Sequence, residues 1–325
     1  MLELTNHTPC TAEPLNDYLA RRSGPAQIIQ AIADSLMPIA DRLAAGALYG
    51  DPAAIVGVNE SGDKQKALDL GTHVYMVDVL KAAGVRLMLS EESEEVLTLN
   101  EDGAYDVAID PIDGSGSIGV GAILGMLFTV VPASDKGFLQ DGHTIAAAGY
   151  ASFGHSLDFG FAIDEGVTIA VYDRASDQLR VTAENVTIAP DTKVIAYNGS
   201  NARHWGAGMT AYIDEILAGK DGPRGKNYNM RWPAAAVGDL HRILLQGGMF
   251  LYPGDRREGY ENGRLRLVYE AMPMAYLMRA AGGLATDGHQ PILDKVATDG
   301  HEHSALIFGA KEEVEAYLRC MEAEK

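Results

Sequence analysis

Apolar residues recur at helical spacing through residues 15–48, at Ile28, Ile32, Leu36, Ile39 and Leu43, and Gly24-Pro25 divides the stretch. A short helix followed by a longer one is predicted. Asn59 to Asp63 reads as a turn or mobile loop, and residues 66–83 as another helix that ends at Gly84. Strand patterns then take over: 86–90 and 105–109 are short apolar runs that lead directly into acidic residues. The longest apolar stretch, 118–133, contains Gly119, Gly121 and Gly125 and falls short of the ~20 residues that span a bilayer, so a buried strand is predicted there. From 129 to 186, β-branched runs alternate with turn residues at Asp135-Lys-Gly, Asp141-Gly, Asp164-Glu-Gly and Ser176-Asp, the pattern of antiparallel hairpins. A second block begins near Lys193, with strands predicted at 194–197, 248–252 and 265–269 and helices around 204–218, 232–246 and 273–281, the last capped by Gly282-Gly283.

These elements make an α/β protein with a mixed sheet, free of internal repeats and low-complexity linkers. At 325 residues the chain is about twice the ~150 typical of one domain, and a division near residue 190 separates an N-terminal half, 1–190, from a C-terminal half, 191–325. The two cysteines, Cys10 and Cys320, lie near opposite ends, which suits a reducing compartment. No signal-peptide pattern opens the chain, and a cytoplasmic address is expected. Acids outnumber bases by 45 to 26, a net charge of -19 that disfavours nucleic acid and anionic membranes as partners. An anionic substrate would meet the same field, so a phosphate site here needs clustered arginine or bound metal.

Four acidic sets stand out: Asp69, Glu91 with Glu92, Asp110 with Asp113, and Glu270. Glu91 and Asp110 each follow a predicted strand, so three or more carboxylates can meet at neighbouring strand ends, where α/β proteins concentrate their chemistry. Left alone they repel, and a hard divalent cation such as Mg²⁺ resolves that repulsion. A solvated acidic turn is the plainer reading of Glu91, Glu92, Glu94 and Glu95. In Asp110-Pro-Ile-Asp113-Gly-Ser-Gly-Ser, Pro111 fixes one φ while Gly114 and Gly116 allow the backbone to turn N–H groups towards an anion.

Gly114-Ser-Gly116-Ser-Ile-Gly119 also fits a dinucleotide fingerprint, but Asp113 would set a carboxylate beside the pyrophosphate, and strand rather than helix is expected to follow. A calcium loop counted from Asp110 would put Gly121 where its last glutamate belongs, and both Gly-Lys pairs lack the hydroxyl residue of a phosphate loop. His301-Glu302-His303 lacks zinc-helix spacing and reads as a solvated loop. Arg203, Arg231, Arg264 and Arg266, interleaved with Asn198, Trp232, Tyr252 and Tyr269, offer paired guanidinium contacts to phosphate, with scattered surface arginines as the alternative.

Ser90-Glu91-Glu92, Asp110-Pro-Ile-Asp113-Gly-Ser, Asn229-Met-Arg231-Trp, Gly248-Met-Phe-Leu-Tyr252-Pro and Gly263-Arg-Leu-Arg-Leu-Val-Tyr269-Glu270-Ala-Met-Pro-Met-Ala-Tyr occur in this order over most of the chain. Together they resemble class 1 fructose-1,6-bisphosphatase, and the Asp-Pro-Ile-Asp-Gly core is shared with inositol monophosphatases. The resemblance implies a layered α/β/α/β sugar-phosphatase fold. It implies that Glu91, Glu92, Asp110, Asp113, Glu270 and the Ile112 carbonyl hold two or more Mg²⁺ ions, with Mn²⁺ as a substitute. Asp69, with Glu92, would help activate the attacking water, and Gly114 and Ser115, beside Asp113, would bind the reacting 1-phosphate. Asn198, Tyr252 and Arg264 would surround the 6-phosphate, joined by Arg231 from a neighbouring subunit of a homo-oligomer, expected to be a tetramer.

The implied reaction is Mg²⁺-dependent hydrolysis of the 1-phosphate of fructose 1,6-bisphosphate. Arg264 replaces the family's usual lysine, Trp232 a frequent tyrosine, Asn201 a frequent phosphate-binding tyrosine, and Ala234-Ala-Ala236 a Gly/Ala-Ser-Met run. Those departures extend the expected substrates to sedoheptulose 1,7-bisphosphate. The AMP site of animal-type relatives is also incomplete: the N-terminal turn is Arg22-Ser-Gly-Pro25, and Ala104 stands where a lysine precedes the tyrosine, here Tyr105. Weak or absent AMP inhibition is expected. The alternatives are an inositol-phosphate or nucleotide phosphatase, a non-catalytic sugar-phosphate sensor and an NAD-dependent oxidoreductase.

Overall fold

A computed structural model describes residues 10–58, 64–163, 165–190 and 192–323. The Asn59 to Asp63 loop lies outside the described residues. The N-terminal helices are Leu15–Leu19 and Ala26–Ala44, and a third runs from Ala67 to Ala82 before Gly84 turns the chain with φ +79°. Helices Ala26–Ala44 and Ala67–Ala82 pack on one face of an eight-stranded sheet. Its strands Leu87–Ser90 and Tyr105–Asp113 are parallel, and five further strands, from Leu124–Pro132 to Gln178–Val186, follow as an antiparallel meander.

Side-chain alternation along these strands divides the interior. Met126, Phe128 and Val130 face the N-terminal helices, while Leu127 and Val131 face the opposite core with helices Ala236–Gln246 and Met272–Ala280. The far side of that core is a five-stranded sheet, in which strands Asn229–Met230, Val194–Tyr197 and Met249–Tyr252 are parallel and Leu306–Gly309 and Leu284–Thr286 complete the order. Helices Ala207–Leu217 and Lys311–Glu322 cover its outer face through Tyr212, Ile216, Val314 and Tyr317. The layers are therefore α/β/α/β with an additional helical pair outside the second sheet.

Three predicted strands have different limits. Residues 118–123 do not join the strand that begins at Leu124, because Gly119 and Gly121 adopt left-handed φ of +83° and +74° and leave Val120 exposed. The strand predicted at 105–109 continues to Asp113, so Asp110 lies within it. The strand predicted at 265–269 stops after Arg266, and a single π-turn, Leu267–Ala271, replaces its second half. The Glu270 carboxylate accepts the Arg266 N–H at 2.6 Å and Glu302 O accepts the Leu267 N–H at 2.7 Å, which fixes this turn.

Candidate active site

The parallel pair Leu87–Ser90 and Tyr105–Asp113 brings the first carboxylates together: Ser90 lies opposite Ile109, and Glu91 N donates to Ile109 O at 3.1 Å. Ordinary strand alternation would put Asp110 and Asp113 on opposite faces. The ladder to Leu124–Pro132 pairs Asp110 with Leu127 but Asp113 with Gly125, so one extra residue is accommodated between them. This bulge re-aims Asp113 to the side of Asp110. Carboxylate oxygens of Asp110, Asp113 and Glu270 then lie within 4.8 Å of one another, all three residues buried.

The cluster is electrostatically strained. Burial raises the Glu91 carboxyl to about 7 against its hydrogen bond to Asp110, and Glu92 adds repulsion. Burial together with the charges of Glu91, Glu270 and Asp113 pushes Asp110 well above the usual carboxylate range, and burial with Glu91 and Asp113 does the same to Glu270. Burial lifts Asp113 to about 6, although backbone N–H groups of Val237, Ala236 and Gly114 pull it down. The Val237 bond is 2.7 Å long, and helix Ala236–Gln246 has no side-chain cap of its own, so Asp113 caps it from another part of the fold. Converging carboxylates offer the oxygen donors that hard divalent cations prefer, so these residues fit such an ion.

Asp69 sits in the first turn of helix Ala67–Ala82, buried, with Oδ1 lacking a hydrogen-bond partner among the described residues. Burial, with the charges of Glu92 and Glu91, raises it to about 8, and Lys66 opposes the rise. Lys66 Nζ also donates to Ser115 O at 2.5 Å, tying the helix start to the turn after Asp113. Glu92 accepts from Gln65 at 3.0 Å through its carboxylate and at 2.9 Å through its carbonyl. Ile112 N donates to the Asp110 carboxylate at 3.0 Å, and Gly114 adopts φ +82°, where Ala235 leaves no room for a Cβ. The Gly114 N–H serves Asp113, while among the described residues the Ser115 N–H has no acceptor.

The distal residues gather at one edge of the second sheet. Asn198, Arg231 and Tyr252 lie at the C-terminal ends of three neighbouring parallel strands. Asn198 caps the following turn by accepting from Ser200 N at 3.1 Å. Arg231 is exposed and donates to Met230 O at 2.9 Å, and Trp232 stacks on Phe250 with centroids 5.5 Å apart. Arg264 lies 4.8 Å from the centre of the Tyr260 ring, and Tyr252 feels the charges of Arg264, Arg257 and Glu270.

Sequence reasoning missed Lys66, Arg257 and Tyr260, although the basic and aromatic residues clustered in 256–264 were a usable signal. It also grouped Arg266 with the phosphate-facing arginines. Instead Arg266 stands beside Glu91 and Glu270 and donates to His301 O at 2.9 Å. The 301–303 segment is partly buried against the same turn rather than being a solvated loop. The glycine turn leads through 3₁₀ residues Ser115–Ser117 into an antiparallel strand, so it lacks the helix a dinucleotide site needs.

Two family models match the chain: the fructose-1-6-bisphosphatase N-terminal domain over residues 26–184 and the C-terminal domain over residues 188–322. A Brucella anthropi protein named fructose-1,6-bisphosphatase class 1 is 51% identical over 312 residues, covering 94% of this chain and 92% of its own. A Brucella suis protein of the same name is 51% identical over 295 residues, 90% of this chain and 87% of its own. The crystal structure of Leishmania major fructose-1,6-bisphosphatase in holo form superposes with a TM-score of 0.89 at 26% identity, over 96% of this chain and 100% of that one.

Proposed function

The chain belongs to the class 1 fructose-1,6-bisphosphatase family and is a phosphatase that hydrolyses fructose 1,6-bisphosphate; from that premise we propose how its residues divide the work. The N-terminal half, 1–190, supplies the metal and reacting-phosphate residues, and 191–325 supplies most of the sugar-phosphate residues and Glu270. Asp110, Asp113 and Glu270, with Glu91, Glu92 and the Ile112 carbonyl, would hold two or more Mg²⁺ ions, Mn²⁺ substituting. Bound cations of this kind offset phosphoryl charge and acidify water. The convergence of Asp110, Asp113 and Glu270 within 4.8 Å is the observation that carries this assignment.

Asp69, raised by burial and by the charges of Glu92 and Glu91, ionises once bound cations offset those charges, and its carboxylate then accepts the proton of the attacking water at Oδ1, assisted by Glu92. The Ser115 N–H binds the 1-phosphate directly, and the Gly114 N–H is shared between that phosphate and Asp113. Asn198, Tyr252 and Arg264 orient the 6-phosphate, and the partner subunit's Arg231 completes that site in a cytoplasmic homotetramer. The exposure of Arg231 supports this role, since its guanidinium remains available to another chain. Trp232 and Arg264 reshape the sugar end, and sedoheptulose 1,7-bisphosphate is the proposed second substrate.

Phosphate release should be compared for fructose 1,6-bisphosphate, sedoheptulose 1,7-bisphosphate, inositol 1-phosphate and a nucleotide phosphate, with Mg²⁺ and with chelator. Mg²⁺-dependent release from the two bisphosphates supports the assignment. Release undiminished by chelator, or faster from inositol 1-phosphate, overturns it.

A further inference from the structure

The segment that contains His301 joins the two turns bearing Glu91 and Glu270. Its residues His303 and Ser304 pair with Arg266 and Leu265, and Glu302 O accepts from Leu267 N at 2.7 Å. On its other side Gly300 packs on Leu89, in the strand that leads into Glu91; a Cβ at Gly300 would lie 3.2 Å from the leucine side chain. The His301 ring spans the gap. Nδ1 lies 2.8 Å from the hydroxyl of Tyr269, the residue before Glu270, and Nε2 lies 3.3 Å from the carbonyl of Glu94, three residues after Glu91.

One tautomer satisfies both contacts. Tyr269 is fully buried beside the ring, with centroids 5.7 Å apart at 67°, and its hydroxyl is protonated near neutral pH. It can donate to Nδ1, while Nε2 carries a hydrogen and donates to Glu94 O. The Glu94 carbonyl can only accept, which excludes the reverse arrangement. The His301 ring, with a hydrogen on Nε2, therefore bridges two elements far apart in sequence.

We propose that His301 is a positioning residue that fixes the spacing between the Glu91–Glu92 turn and the Glu270 turn, and so sets the divalent-cation affinity of the carboxylate cluster. The proposal rests on reading those carboxylates as the metal site. Residues that orient ligands without touching the ion commonly change affinity by about 10- to 100-fold. His301 touches neither substrate nor reacting atoms in this scheme, so its loss weakens cation binding more than turnover at saturating cation.

Mn²⁺ binding, followed by electron paramagnetic resonance of the free ion, tests this on the purified full-length protein, with circular dichroism establishing that each variant is folded. His301→Ala should raise the Mn²⁺ dissociation constant about tenfold, while kcat at saturating Mg²⁺ changes less than about twofold. His301→Asn retains an acceptor for Tyr269, and His301→Gln retains a donor for Glu94. Neither spans both partners, so each should bind Mn²⁺ nearly as weakly as the alanine variant. If His301→Ala does not fold, Tyr269→Phe removes one end of the bridge and should weaken binding by about threefold or more. Wild-type Mn²⁺ affinity in folded His301→Ala or, if that variant does not fold, in Tyr269→Phe, or full recovery by either amide variant, overturns the bridge. Glu270→Gln separates the two readings. Unchanged Mn²⁺ binding there removes the metal site itself, whereas weakened binding there beside wild-type affinity in the His301 variants, or in Tyr269→Phe when it stands in for them, removes only the bridge.

Discussion

In metal-free protein, Asp113→Asn should raise stability even as it abolishes turnover. Burial lifts the Asp113 carboxyl from 3.8 to about 6 although three backbone N–H groups favour its charged form. A rise of about two units costs the ionised fold about 3 kcal/mol. Asparagine removes that charge and keeps a carbonyl oxygen for the Val237 N–H, now bonded at 2.7 Å. It loses the charge-assisted part of the helix cap, about 1 kcal/mol, and its new N–H groups can donate to Asp110 or Glu270. The net expectation is a gain of about 1–3 kcal/mol above pH 7.

The sign follows from proton linkage. The folded state holds the Asp113 proton more tightly than the unfolded state, so wild-type stability falls as pH rises from about 4 to about 6 and then levels off with respect to this group. The advantage of Asp113→Asn must therefore open across that window and stay constant above it. Urea unfolding in chelator at pH 5 and pH 8 measures both points, and Mg²⁺ should reverse the order by stabilising only the wild type. A variant less stable than wild type in chelator at pH 8, or a difference independent of pH, refutes the repulsion argument. Near-normal Mg²⁺-dependent phosphate release by the folded variant refutes the metal-ligand assignment.

Gly125→Ala would put a Cβ 2.1 Å from Val237 and 2.7 Å from Ala151 O, so it should destabilise by about 1–3 kcal/mol and displace the helix capped by Asp113. Melting curves check the loss, and Val237→Ala in the same chain should recover part of it. Arg231→Ala should raise KM for fructose 1,6-bisphosphate far more than it lowers kcat, because the 6-phosphate is remote from the broken bond. Mixing wild-type subunits with tagged Arg231→Ala, Asp113→Asn subunits should weaken the wild-type sites, and an unchanged KM in verified hetero-oligomers would sink the shared site. AMP should inhibit weakly or not at all, since Gly24 and Tyr105 meet in the fold but Ala104 supplies no cation. Saturable inhibition at micromolar AMP would contradict that.

The periodicity of the chain made most helices and strands legible, because burial on one face imposes a repeat of 3.6 or 2. Leu36 and Ile39, and likewise Met126 and Phe128, face the core their spacing requires. Residues 118–123 misled because apolar composition resembles a strand, while the left-handed conformations of Gly119 and Gly121 depend on what packs around the turn. The distal group was visible only in part. Arg257 and Tyr260 enter it because their loop folds back beside Tyr252, a contact with no period in sequence.

The least legible features of the carboxylate cluster are two local departures from regular structure. Between Asp110 and Asp113 one extra residue in the ladder puts two carboxylates on the same side, and at Leu267–Ala271 a single π-turn brings Glu270 to them. Uninterrupted strands at both places would have separated the charges and relieved their repulsion. Instead the fold keeps three buried acids and the half-buried Glu91 together and stabilises the geometry with backbone contacts: Val237 N–H to Asp113, Arg266 N–H to Glu270 and Ile112 N–H to Asp110. Those donors compensate the acids incompletely, because Asp110, Asp113 and Glu270 retain raised proton affinities. The remaining imbalance is the physical basis for cation binding, and it ties the irregular backbone directly to the chemistry.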